Sequence, residues 1–191
     1  MSRYRPPTKP MSPYITPEGE RALKDELHFL WKIERPKITQ SVSEAAAQGD
    51  RSENADYIYG KKRLREIDHR VHYLRKRLEI LRVVKELPTD QSKVYFGAWV
   101  VLLNEKDESV RYRLIGPDEI NTACNYISID SVLGRALLSK PLDAEITVQT
   151  PSGQHRYIIA NIEYPTFHIG SVKGCLYGTR HNRWFQKSVG H

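Results

Sequence analysis

The sequence predicts an α+β protein in which an antiparallel α-helical coiled-coil hairpin precedes a small antiparallel sheet with one short helix. Two long stretches, roughly 16–48 and 53–87, repeat apolar residues at helical spacing and flank a short polar turn. After residue 88, short segments rich in β-branched and aromatic residues alternate with turn residues. At about 1.5 Å per residue each helical arm would be about 50 Å long, and equal arms fold back on one another.

The composition is that of a soluble chain with a basic surface. Of the 191 residues, 39% are hydrophobic and 28% charged, and the formal net charge is +7. This charge favours a polyanionic partner, nucleic acid before membrane. The longest apolar run is far too short to span a bilayer, and the basic start of the chain lacks the apolar block of a secretory signal. We therefore expect a cytoplasmic protein with no membrane partner.

Residues 1–15 are predicted to be a flexible arm. They contain four prolines, three basic residues and no acid, a composition that cannot bury enough apolar surface to fold alone. The first helix then begins at Thr16-Pro17-Glu18. The threonine hydroxyl would cap the helix, the proline suits the first helical position, and the acid meets the positive end of the helix dipole.

The first helical arm is interrupted once. Its apolar residues step by three and four up to Leu30 and again from Ile38, but Glu34 and Pro36 break the pattern. An interior proline removes a backbone hydrogen bond and clashes with the preceding turn. We therefore expect a kink or a local slip of the coil at this point.

The second arm is more regular and strongly basic. Its apolar seam steps alternately by three and four residues: Leu64, Ile67, Val71, Leu74, Leu78 and Leu81. On the other faces ten basic residues outnumber three acids, which leaves seven net positive charges. This flank either follows a phosphate backbone or is an ordinary solvated coiled-coil surface. The arm is predicted to end at Leu87, because the residue before a proline leaves the helical region.

From residue 89 to 164 the pattern is that of a small, mostly antiparallel sheet. The predicted strands are 94–103, 110–115, 126–129, 145–150 and 156–164. Residues 131–139 have the pattern of a short amphipathic helix capped by Asp130 or Ser131. The apolar residues assigned to the core are Val100, Leu102, Ile115, Ile146, Val148, Ile158 and Ile162. Residues 165–191 form a basic extension with interleaved aromatics, which suits single-stranded nucleic acid or has no function.

The turn between the arms concentrates carboxylates at Asp50, Glu53 and Asp56. Taken alone, Asp50 or Ser52 would cap the second arm and Glu53 would face its positive end. A helix end needs only one cap, however, and carboxylates placed beyond a basic flank can share Mg²⁺, which prefers oxygen ligands. The turn alone would bind this ion poorly, so we expect a site completed by another molecule.

Several stretches resemble the bacterial transcript cleavage factors of the Gre family, the GreB branch in particular. The resemblance is strongest at the tip, Ala47-Gln48-Gly49-Asp50-Arg51-Ser52-Glu53-Asn54-Ala55-Asp56-Tyr57, and continues through residues 61–68. Leu30-Trp31 and residues 34–36 on the entry helix are also similar to the family. The other matching stretches are 96–100, 118–120, 126–131 and 149–153. The resemblance covers about residues 13–164.

This resemblance implies a C-terminal domain of the FK506-binding-protein type that binds RNA polymerase, and a coiled coil inserted through the secondary channel. The protein would not be an enzyme. It would stimulate the polymerase's intrinsic cleavage of backtracked nascent RNA near the 3′ end, with Asp50 and Glu53 helping to hold the polymerase's second Mg²⁺. Implied RNA-binding residues are Lys61, Lys62, Arg63 and Arg65; implied tip supports are Asn54 and Tyr57; implied polymerase contacts are Asp118, Glu119, Ile120 and Ser131.

The expected domains are an arm (1–15), a coiled coil with an acidic tip (16–88), a polymerase-binding domain (89–164) and a basic extension (165–191). A self-complementary hairpin predicts a monomer. Val132 stands where we would expect proline in the family, so the entry to the short helix is expected to differ. Two alternatives stay open: a channel-binding modulator of transcription without cleavage activity, and a basic coiled coil that binds nucleic acid directly with a steep salt dependence.

Overall fold

In the computed structural model the chain forms two compact units, and the structure describes residues 10–47, 54–151 and 153–165. One unit is helical and comprises residues 17–82. The other joins residues 10–16 to the chain after residue 82 and contains a five-stranded sheet. The predicted α+β class is confirmed. Among the described residues, no helix has the length and apolar character needed to cross a membrane.

The helical unit is an antiparallel hairpin. Its elements are α1 (Pro17–Phe29), a π-helical turn (Leu30–Glu34), α2 (Arg35–Ala47) and α3 (Ala55–Ile80). Both α1 and α2 pack against α3. Glu26 pairs with Arg70, whereas Glu34, further along the first arm, pairs with Arg63, earlier in α3. The two arms therefore run in opposite directions, as predicted.

The π-helical turn lies directly before Pro36, where a kink or slip was expected. The Arg35 amide donates to the carbonyl of Leu30, five residues back, instead of four. Pro36 has no amide to donate and its ring crowds the preceding turn, and a wider turn relieves both problems. The expectation is confirmed, and Trp31 and Ile33 within this turn are exposed.

The second helical arm ends earlier than predicted, at Ile80 rather than at Leu87. Leu81 has an extended backbone, and the chain then forms strand β2 (Arg82–Val83), which pairs with strand β1 (Tyr14–Ile15). The sequence pattern offered no stop before the proline. Pairing with a distant strand ended the helix instead, and such a partner leaves no local signal.

The predicted flexible arm is not separate up to residue 15. Residues 1–9 lie outside the described residues, but Ile15 and Thr16 are fully buried in the sheet unit. The Val84 amide also donates to the Ile15 carbonyl at 2.9 Å. The composition argument missed this because the segment packs against apolar surface that the rest of the unit supplies.

The sheet has the strand order β5-β4-β3-β7-β6. These strands are β3 (Trp99–Asn104), β4 (Ser109–Ile115), β5 (Tyr126–Ser128), β6 (Glu145–Thr150) and β7 (Gly153–Glu163). Neighbouring strands are antiparallel except β4 and β5, which are parallel. The short helix α4 (Val132–Leu137) packs on β6, and Ser131 caps it as predicted by accepting the Gly134 amide at 3.0 Å.

The core prediction holds except in β7. Ile158 was assigned to the core but is 47% exposed, and its neighbour Ile159 is fully buried in its place. The register of β7 against β3 shifts between Val101 and Leu102. A bulge inserts one unpaired residue, so the alternation of inward and outward side chains reverses beyond it. Ile162 lies on the other side of the bulge from Ile158 and packs against the core as predicted.

Candidate functional site

The two helices of the hairpin are joined at their ends by Asn54. Its side-chain Oδ1 accepts the amides of Asp56 and Tyr57 at 3.1 and 3.2 Å, and its carbonyl accepts the Ile58 amide. Its Nδ2 donates to the Ala45 carbonyl at 3.0 Å, near the end of α2. One side chain thus satisfies free amides of one helix and a carbonyl of the other. The end of α2 and the start of α3 therefore lie next to each other.

This cap corrects a prediction made for the turn. Asp50 or Ser52 was expected to cap the second arm, but Asn54 does so and Ala55 is the first helical residue. Residues 48–53, with Asp50 and Glu53, lie outside the described residues, so their role in metal binding stays a prediction. Because Asn54 is the N-cap residue of α3, neither Asp50 nor Ser52 has that position.

Close packing of the two helices continues along α3 beyond the cap. Gly60 is buried, and a Cβ atom placed on it would lie 2.4 Å from Cγ2 of Val42 on α2. Only glycine leaves room for so close an approach. Tyr57, one turn earlier, is half-buried, and the Lys61 ammonium lies 6.0 Å from its ring centre. Asn54 and Tyr57 therefore both lie at the start of α3, and their role in supporting the tip stays a prediction.

The four predicted RNA-binding residues fall into two groups. Arg63 is held by carboxylates: Nε and Nη2 donate to Oε1 of Glu34 at 2.9 and 2.6 Å, and Nη1 donates to Glu66 at 3.2 Å. Burial alone would lower the pKa of Arg63, but the hydrogen bonds and charges of the two glutamates outweigh it and raise the pKa. Arg63 is therefore a structural residue that links the two arms of the hairpin. The other three residues are exposed.

Two further arginines pair across the hairpin in the same way. Arg70 donates through Nε and Nη2 to the two carboxylate oxygens of Glu26, both at 2.8 Å. Arg35 donates through Nε to Asp68 at 2.7 Å. Part of the positive charge that the sequence assigned to a nucleic-acid surface is thus neutralised within the hairpin. This counts against a protein that binds nucleic acid through the hairpin alone.

Glu119, predicted to contact polymerase, is instead a buried structural group. It is 3% exposed, and its carboxylate accepts the amides of Thr16 and Gly116 at 3.0 and 3.2 Å, together with the Thr16 hydroxyl. Burial raises the pKa of Glu119, although these hydrogen bonds act in the opposite sense. Its carboxylate is therefore not available to a partner. No sequence signal marked this role, because Thr16 and Glu119 are 103 residues apart.

The other three predicted polymerase contacts differ in exposure. Ile120 is exposed and Asp118 is half-buried, so both are accessible at least in part. Ser131 is engaged by its own helix, because its hydroxyl donates to the Ser128 carbonyl at 2.6 Å and accepts the Gly134 amide. We therefore expect Ile120 and Asp118, rather than Ser131, to contact a partner through their side chains.

Comparison with known proteins gives matches over both units. Residues 13–83 match the family profile described as transcription elongation factor, N-terminal, and residues 89–164 match transcription elongation factor, GreA/GreB, C-terminal. Transcription elongation factor GreB of Pseudomonas aeruginosa is 61% identical over 165 residues, which cover 86% of this chain and 98% of that protein. GreB of Yersinia pestis is 59% identical over 156 residues, or 82% and 91% of the two chains.

Among solved structures, the GreA factor homolog 1 protein of Thermus thermophilus matches with 20% identity and a TM-score of 0.37, over 78% of this chain and 97% of that chain. The family assignment rests on the sequence matches, which together span nearly all described residues. They agree with the resemblance seen in the tip motif. The chain therefore belongs to the GreA/GreB family of transcription elongation factors, on the GreB branch.

Proposed function

We propose that this protein binds RNA polymerase during elongation and stimulates the polymerase's own cleavage of backtracked nascent RNA. The family assignment supports a role in elongation. The observation that carries the cleavage role is the Asn54 cap. It joins α2 and α3 at the turn that contains Asp50 and Glu53, and the N-cap residue of α3 is Asn54 rather than either of these two carboxylates.

In this proposal the sheet unit, a domain of the FK506-binding-protein type, docks on polymerase, and the hairpin enters the secondary channel as a coiled coil. The described contacts support such a role for the hairpin. Arginine–carboxylate pairs cross it at three levels, and Gly60 lets its helices approach closely near the turn. A functional group carried on rigid elements is positioned more accurately than one on a free loop.

The proposed metal is a Mg²⁺ ion shared with polymerase, and Asp50 and Glu53 would supply part of its ligands. Carboxylate oxygens are the donors that Mg²⁺ prefers, and two of them fill only part of its octahedral shell. The remaining ligands must therefore come from polymerase or water. When bound, Mg²⁺ activates a water molecule and stabilises charge on the phosphodiester oxygens. The chain itself is an accessory factor, and polymerase is the catalyst.

The basic residues left exposed on α3 complete the proposal. Lys61, Lys62 and Arg65 are exposed and would hold the extruded RNA 3′ end by its phosphates. Arg63 is excluded from this set, because its guanidinium is bound to Glu34 and Glu66. The protein would act as a monomer, since the hairpin pairs its own two arms.

The test is RNA cleavage in a stalled, backtracked elongation complex at fixed Mg²⁺. We expect Asp50→Ala and Glu53→Ala each to slow cleavage by about 100-fold or more, because each removes a group acting on the reacting centre. Affinity for polymerase should change by less than about twofold. Asp56→Ala is the matched control, since Asp56 is an exposed carboxylate of the same region, and it should cleave at close to the normal rate.

Two outcomes would contradict the proposal. If the unmodified protein binds polymerase without releasing a short 3′ fragment, a channel-binding modulator without cleavage activity becomes the better description. If cleavage survives both substitutions, the two carboxylates do not complete a metal site.

A further inference from the structure

The N-terminal strap, defined here as residues 11–16, lies along two loops of the sheet unit. At one end the Ser12 amide donates to Oδ2 of Asp130 at 2.8 Å. At the other end Thr16 binds the buried Glu119 carboxylate through its amide and its hydroxyl. One loop contains three of the predicted polymerase contacts, Asp118, Glu119 and Ile120, and the other precedes α4. The strap is therefore fixed beside both.

The middle of the strap is packed tightly as well. A Cβ atom on Gly116 would lie 2.2 Å from the Tyr14 carbonyl oxygen. This oxygen belongs to the backbone, so a change of side-chain rotamer cannot relieve the clash. The Tyr14 ring lies 6.2 Å from the ring of Phe96, which itself packs against the core. The strap is thus an ordered part of the sheet-unit surface at three points along its length.

Strap and loops together expose large apolar side chains, which we name the strap patch. Its members are Met11 and Tyr14 from the strap, Ile120 from one loop and Val132 from the start of α4, and all four are exposed. Ile120 and Val132 each lie within two positions of a carboxylate that holds the strap. Apolar side chains grouped on an exposed surface commonly mark a protein interface.

The charge of the adjoining chain indicates what kind of partner the patch fits. Residues 1–9 are separated from the strap only by Pro10, and they contain Arg3, Arg5 and Lys9 but no acid. Apolar anchors of this size favour a protein surface, and a basic neighbouring segment favours one that carries acidic residues. A nucleic-acid partner would accept the basic segment but gain little from Met11 and Val132.

We infer that the N-terminal strap forms part of the surface that docks on RNA polymerase. Met11 and Tyr14 contact an acidic, partly apolar polymerase surface together with Ile120 and Val132. Glu119 acts as a positioning residue, because it holds the strap in place without reaching the partner. This inference rests on the proposed function and assigns part of the docking to a segment outside the C-terminal domain.

The experiment measures binding of the full-length chain to core RNA polymerase after Met11→Asp and Tyr14→Asp. Placing a carboxylate within an apolar contact should weaken binding by about tenfold or more in each case. Ile158→Asp is the matched control, because Ile158 is 47% exposed against 45% for Met11 and belongs to the same unit. It should change affinity by less than about twofold. Circular dichroism and thermal unfolding establish that every variant is folded.

The outcomes separate this inference from the proposed function. If Val132→Asp weakens binding but Met11→Asp and Tyr14→Asp do not, the loops dock without the strap and the inference is overturned, while the proposed function stands. Equal weakening by Ile158→Asp would also overturn it. If the unmodified chain does not bind polymerase, both fail. A photo-cross-linker at position 11 gives a second readout: adducts with a polymerase subunit support the inference, and adducts with RNA alone overturn it.

Discussion

In the helical hairpin, Arg63 and Glu34 form an ion pair between two partly exposed side chains. In the sheet unit, the Glu119 carboxylate is almost fully buried and accepts hydrogen bonds from Thr16 and Gly116. Both side chains keep some contact with water, which still solvates their charges when the pair is broken, so we expect the pair to contribute about 1 kcal/mol. A buried donor left without its acceptor costs about 1–3 kcal/mol. We therefore expect the loss of one ion pair to destabilise the hairpin less than the loss of the Glu119 carboxylate destabilises the sheet unit.

This difference suits the parts that the two units are proposed to play. Several moderate contacts stiffen the hairpin along its length, so no single pair decides whether the tip is correctly presented. The strap, in contrast, depends on Glu119 at one end and on the Ser12–Asp130 contact at the other. The following substitutions measure how large the difference is.

The largest effect is expected for Glu119→Ala. This substitution leaves two amides and a hydroxyl without their acceptor, and the sheet unit should lose about 3 kcal/mol or more of unfolding free energy. Urea unfolding followed by Trp99 fluorescence, with Trp31 and Trp184 replaced by phenylalanine, measures it. Glu119→Gln keeps an acceptor and should lose clearly less. A loss no larger than that of Arg63→Ala would show that the two units do not differ in this way.

A smaller effect is expected for Asn54→Ala, which removes both the cap of α3 and the contact with Ala45. Loss of a cap costs about 0.5–2 kcal/mol, so hydrogen exchange of the Asp56 and Tyr57 amides should become faster. Asn54→Asp keeps the cap but not the donor to Ala45, and it should recover most of the protection. Unchanged exchange in Asn54→Ala would mean that another group begins the helix.

A weaker effect still is expected for the Arg63–Glu34 pair. A double-mutant cycle should give a coupling free energy of about 1 kcal/mol or less that declines with added salt. In our proposal Arg63 links the two arms of the hairpin and does not bind RNA. Arg63→Ala should therefore reduce RNA cleavage less than Lys62→Ala does. A coupling free energy above about 2 kcal/mol would mean that this pair behaves as a buried ion pair.

The smallest effect concerns the pH dependence of the sheet unit. Burial raises the pKa of Glu119 in the folded state, so the folded chain holds this proton to a higher pH than the unfolded chain, whose glutamate pKa is about 4.3. Between the two values, stability relative to Glu119→Gln should fall as pH rises, because the folded state binds more protons. Unfolding free energies of both proteins across this range test the sign. The opposite slope would mean that the hydrogen bonds outweigh burial.

Much of the fold was predictable because its signals are local. The spacing of apolar residues identified both helical arms, Pro36 identified the irregular turn before it, and Ser131 identified the start of α4. Periodicity, proline geometry and capping depend on a few neighbouring residues, so they can be predicted from the sequence. Asp50 and Glu53 were also selected from a short local motif, and their role stays a prediction.

Tertiary structure alone decided the features that depend on distant partners. Strand pairing ended α3 at Ile80, and a bulge in β7 placed Ile159 rather than Ile158 in the core. Glu119 is buried where it accepts hydrogen bonds from Thr16. Each outcome depends on a group tens of residues away, and local spacing and composition carry no information about such a group. The sequence by itself therefore determined most of the elements that form, whereas the role of Asp50 and Glu53 as metal ligands stays a prediction. The packed chain decided which charges stay free to bind and which become part of the fold.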